Sequence, residues 1–177
     1  LLSFFINSFK KDISLYILPI KKIKYIRMFN FKLKISQIHT APNWIKKYFF
    51  KNPLRLINVN IVGPPSSLII SKKYIHKYDS NLKFLIDIDY YISLLRLIDI
   101  NSIVNFNKIN YQILSSQNNK NSITKSLSNK KNKLKYIEKK FLTNKYHYKL
   151  SIIEKINDFY YFLSYKIFSL ISLRIKF

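Results

Sequence analysis

The sequence predicts an α/β fold, and three stretches carry that expectation. The first is V-G-P-P-S-S-L-I-I, from Val62 to Ile70. Proline fixes φ near about −65° and biases the preceding residue toward extended backbone, so Gly63-Pro64-Pro65 is a turn and not helix. The apolar run Ser66–Ile70 that follows is consistent with a buried strand. The second stretch begins at Asp87. There Ile88, Tyr91, Ile92, Leu95 and Ile98 recur at helical spacing, with Asp89, Ser93 and Arg96 on the opposite, polar stripe. The third is Phe31-Lys32-Leu33-Lys34-Ile35, whose strict alternation is that of a half-buried strand.

Taken in order, the chain opens at Leu1 rather than Met, which reads as a fragment, a processed chain or a truncated reading frame. Its apolar start, Leu1–Ile6, is soon broken by Lys10-Lys11-Asp12. That is too short to span a bilayer and lacks the basic lead and cleavage site of a signal peptide. Ile13–Leu18 is a second apolar piece. Asn43 is placed to cap a helix with Trp44, Ile45, Tyr48 and Phe49 on one side. Tyr78-Asp79-Ser80-Asn81 is a turn. Asp87 therefore falls at or near a helix start, where free N–H groups and the dipole favour a carboxylate. Such a residue can simply cap its helix. Residues 99–114 suggest a second strand, with Ile109, Tyr111 and Ile113 on one face around Asn110–Leu114, and residues 115–133 read as a polar, low-complexity loop. From about Lys135 the pattern is helical to the end, with Ile152, Ile156, Phe159, Leu163, Ile167, Leu170 and Leu173 at three- and four-residue steps. Phe159–Leu173 is strongly apolar, but Lys166 interrupts it and it falls short of the roughly 20 residues a bilayer needs. A packed helix and an interfacial helix both fit. The expected units are residues 1–133 and a helical extension, 134–177.

Composition excludes more than it identifies. A chain of 177 residues can bury a real core. The absence of cysteine removes disulfides and thiolate metal sites. A single glycine cannot build a P-loop, a dinucleotide fingerprint or a nucleophile elbow. His39, His76 and His147 are scattered without ligand spacing. The net charge of +24 accompanies an excess of Lys, Ile, Asn, Phe, Tyr and Leu, the residues of A/T-rich codons. A biased genome spreads such charge over an ordinary enzyme. The rival explanation is a basic nucleic-acid-binding, ribosome-associated protein, because lysines interleaved with Tyr and Phe suit phosphate contact and base stacking. Salt separates the two, since nucleic-acid binding falls steeply as salt rises.

The run G-P-P-S-S-L-I-I … Y-D-S-N-L-K-F-L-I-D-I-D-Y-Y-I-S-L-L resembles the acceptor-side half of family 2 glycosyltransferases of the GT-A, Rossmann-like fold. The match covers roughly residues 44–147, with Lys51–Arg55 and Asn121–Thr124 as further landmarks. In that family a Pro-Ser strand precedes an Asp that opens an amphipathic helix and serves as general base. Asp87 matches this Asp, although Ile86 stands where the family has Glu, and Asn119 stands near the family's His. The resemblance implies that Gly63, Pro64, Pro65 and Ser66 border the acceptor, that Asp89 orients it, and that Trp44 stacks on a sugar. Trp44 equally suits a core position. It further implies a nucleotide-sugar donor, a sugar or lipid-linked acceptor and a divalent metal, Mg or Mn, in the complete enzyme, with no ligands identifiable in this chain. The expected location is cytoplasmic, with membrane-surface contact at the inner face through residues 150–175. The family's nucleotide-binding half, with its acidic metal motif, has no counterpart in the sequence. The chain thus reads as the C-terminal part of such an enzyme, inactive alone.

Overall fold

In the computed structural model, residues 12–28, 31–39, 41–105, 113–116, 131–171 and 173–176 are described. They form a mixed α/β structure. Strand β1 (Leu15–Ile17) is buried along its whole length, as the middle strand of a sheet must be. Its neighbours are β4 (Leu68–Ile70), antiparallel, and β5 (Ile103–Asn105), parallel. After Leu18 comes Pro19, and the chain enters the hairpin of β2 (Ile20–Met28) and β3 (Phe31–His39). The alternating Phe31–Ile35 stretch lies in β3, as expected. Strand β6 (Ile113–Ser116) runs parallel to β2, and β7 (Leu173–Lys176) pairs antiparallel with β3.

Helix α1 (Asn43–Lys51) begins on Pro42 rather than on an Asn43 cap. It buries Ile45, Lys46, Phe49 and Phe50, which turns Trp44 outward. Helix α2 (Ile86–Leu97) contributes Ile88, Tyr91, Ile92 and Leu95 to the core, as their spacing requires. Ile98, the last residue of the expected stripe, lies just past the helix end. Gly63-Pro64-Pro65 does turn the chain, and Pro65–Ser67 forms one 3-10 turn, so β4 starts at Leu68 instead of Ser66.

The C-terminal region departs from a continuous helix. Helix α3 (Lys131–Lys145) and helix α4 (Ile152–Ile171) are separated by a turn at His147, whose φ is 50°. The Tyr148 N–H donates to the Thr143 carbonyl at 2.8 Å, closing α3 through a left-handed residue. Ser151 then starts α4 as a capping box: Glu154 N–H donates to Ser151 Oγ at 3.2 Å, and Ser151 N–H to Glu154 Oε2 at 3.0 Å. The last described residues are strand, not helix. Leu142, Tyr148 and Tyr165 join Ile45, Phe49 and Ile92 in one apolar cluster, so the core spans the 133/134 boundary. Leu1–Ile6, Ile109, Tyr111, Asn119 and Asn121–Thr124 fall outside the described residues.

Candidate functional site

Helix α2 starts without help from its own side chains. Leu85, its first flanking residue, makes no side-chain cap. Glu138 reaches across from α3 and holds the backbone that leads into the helix. Its carboxylate accepts from the N–H groups of Lys83 at 2.9 Å, Phe84 at 2.9 Å and Leu85 at 2.6 Å. Three charge-assisted bonds to one carboxylate are a strong hold, and Glu138 is only 4% exposed. The Asp87 carboxylate accepts from no N–H among the described residues, so it does not cap the helix by a hydrogen bond.

Asp87 stands in the first turn of α2, half-buried, and its carboxylate makes no hydrogen bond or ion pair with the described residues. Burial lifts its carboxyl above the ordinary value. It borders a cavity of about 160 Å³ together with Asn60, Lys135 and Phe84. It also lies close enough to Tyr91 and Tyr78 to raise both phenols, whose shifts come first from burial. Tyr78 is half-exposed and stacks on Tyr90 at 4.6 Å, and Tyr90 stacks on His76 at 4.2 Å.

The glycine turn is fastened to the same place. Gly63 has φ +104°, a conformation that disfavours any side chain. Its N–H donates to Asn60 Oδ1 at 3.0 Å, and its carbonyl accepts from Asn60 Nδ2 at 3.2 Å and from Tyr91 Oη at 2.8 Å. Asn60 also borders the Asp87 cavity. Gly63, Asn60, Tyr91 and Asp87 thus form one connected group. Pro64 and Pro65 are half-buried beside it, and Ser66 is exposed.

Two expected site residues go elsewhere. The sequence places Asp89 on the helix surface, whereas the structure leaves it 5% exposed. Residues two apart on a helix point in nearly opposite directions, so Asp87 and Asp89 diverge. Asp89 accepts from Lys145 Nζ at 2.9 Å and from Tyr146 Oη at 2.7 Å, and the same lysine reaches Asp79 at 2.8 Å. It is a buried ion-pair partner. Trp44 is 51% exposed and packs on Tyr161 of α4 at 5.5 Å, in a separate aromatic group with Tyr48.

Glu138, Asn60, Tyr78 and Lys145 are the residues that sequence reasoning misses. Tyr78, an aromatic at a turn, and Asn60, an Asn just before the glycine turn, carry local signals. Asn60 bonds Val62 and Gly63, within three residues, whereas Glu138 and Lys145 act across distances in the chain that no spacing rule spans.

The divalent metal that the resemblance implies finds no ligand set here. Among the described residues no three His, Asp or Glu side chains converge, and Asp89 is committed to Lys145 and Tyr146. Comparison with protein-family models, curated proteins and solved structures returns no match.

Proposed function

We propose that this chain supplies the acceptor side of a glycosyltransferase, with Asp87 as the general base. The observation that carries the reading is the half-buried Asp87 carboxylate in the first turn of α2, which has no hydrogen-bond or ion-pair partner among the described residues. Glu138 holds the backbone leading into the helix. The Asp87 carboxylate is thus available to a substrate hydroxyl, and its raised pKa makes it a stronger base. Asp87 would accept the hydroxyl proton as that oxygen attacks the anomeric carbon of a nucleotide-activated sugar. The nucleotide leaves from the opposite face, and the configuration inverts. Tyr78 supplies an exposed aromatic face near Asp87, suited to the C–H surface of a sugar ring. Gly63, Pro64 and Pro65 give a fixed backbone beside the site, tied to it through Asn60 and Tyr91. No step is assigned to a metal.

The test is Asp87→Asn, assayed in the protein as it occurs in its cell with a panel of nucleotide sugars. Transfer is expected to vanish while nucleotide-sugar binding, measured by calorimetry, stays nearly intact. Unchanged turnover would remove Asp87 from the mechanism.

A further inference from the structure

Helix α4 turns its apolar side away from the protein. Ile152, Ile156, Phe159, Leu163, Ile167 and Leu170 are all exposed, from 47% at Leu163 to 75% at Ile152. At 100° per residue they fall within an arc of about 80°, a straight stripe about 30 Å long. The side facing the protein carries Asp158 and the tyrosines Tyr161 and Tyr165. There Asp158, 8% exposed, meets Arg55 Nε at 3.1 Å and accepts from Tyr48 Oη at 2.8 Å.

The stripe has a charged margin. Lys155 and Lys166 are both exposed and lie on the same edge of it, beside Phe159. That edge opens on a cavity of about 410 Å³ between α4 and α3, where Lys139 faces Phe159 and Phe162. An occupant of this face must therefore offer an apolar layer and, next to it, negative charge. A second copy fits poorly, because it would bring two chains of net charge +24 together. An anionic lipid surface offers both layers at the right depths. No described helix is long and apolar enough to cross a membrane, so the contact is with the surface.

We infer that α4 lies flat on an anionic lipid surface, with its apolar stripe at the acyl boundary and Lys155 and Lys166 among the headgroup phosphates. The inference does not depend on sugar transfer. It is tested by flotation of the protein with vesicles of phosphatidylcholine, with and without phosphatidylglycerol. The wild type is expected to float with the anionic vesicles and far less with the neutral ones. Leu163→Glu with Ile167→Glu, at exposed positions that leave the core intact, is expected to weaken this by on the order of tenfold or more. Lys155→Gln with Lys166→Gln is expected to weaken anionic binding by on the order of tenfold and to leave neutral vesicles unaffected. Circular dichroism confirms that each variant is folded. No flotation of the wild type, or equal flotation of the folded Glu variant, would overturn the inference. So would a homo-oligomer in analytical ultracentrifugation that the Glu variant converts to monomer, because the face would then belong to a second copy.

Discussion

The Tyr91 hydroxyl donates to the Gly63 carbonyl at 2.8 Å, across 28 positions of sequence, and fastens the chain's one glycine turn to the helix that carries Asp87. Tyr91 lies one turn beyond Asp87 on α2, so the position of the carboxylate and the path of the turn are set together. Tyr91→Phe removes this bond and leaves the carbonyl with Asn60 alone. The expected loss is about 1 kcal/mol in urea unfolding. If Asp87 is the base, turnover falls further than that loss explains.

The turn itself is more sensitive. A Cβ on Gly63 would lie 2.6 Å from Ile20 Cδ1 and 3.2 Å from Ser67 Oγ, at a φ of +104°. Gly63→Ala is expected to cost about 2–3 kcal/mol, the sum of backbone strain and crowding. A thermal melt unchanged by this substitution would mean that the turn is not built this way.

Glu138 holds the start of α2 from outside the helix. Glu138→Ala strands three N–H groups and is expected to destabilise by about 3 kcal/mol, with Glu138→Gln losing about half as much. Hydrogen exchange at Lys83, Phe84 and Leu85 would report the loss locally, and should accelerate before exchange in the body of α2 does.

Asp87 itself is expected to trade stability for chemistry. Its carboxyl is raised by burial from an ordinary 3.8. A raised carboxylate contributes stability fully below its unfolded pKa and loses it as pH rises through the folded value. At neutral pH that contribution is gone, so Asp87→Asn should melt slightly higher than the wild type while losing transfer. Activity of the wild type should rise with pH through the same titration and then level off.

Lys46 gives the opposite dependence. It is 1% exposed in α1, and burial lowers its ammonium pKa from 10.5 to about 8. The unfolded chain then binds the proton more readily, so stability rises between these two values, by about 3 kcal/mol in all. Chemical unfolding at a series of alkaline pH values checks this, and Lys46→Met should flatten the rise.

How far the sequence told these things differs from residue to residue. Gly63-Pro64-Pro65 and the helix start at Asp87 were legible because proline geometry and helical spacing are local. Asp89 was not. Its polar stripe reads as solvent-facing, and what covers it is Lys145, 56 residues further on. The break before α4 was written in Ser151 and Glu154, at capping-box spacing, but the apolar steps on either side mask it. Trp44, expected on the same side as Ile45 and Phe49, turns outward while Lys46 is buried, because the face of a short helix is chosen by what packs on it.

The inverted orientation of α4 bears on how the molecule comes apart. A helix docked through Asp158, Arg55 and Tyr48 is held by directional polar bonds, and its apolar side chains are wet before it detaches. Apart from Tyr161 and Tyr165, release of α4 would expose little new hydrocarbon. It would therefore contribute little to the heat capacity of unfolding or to the urea m-value. Such an opening is close to invisible in calorimetry, yet plain in amide exchange along residues 152–171.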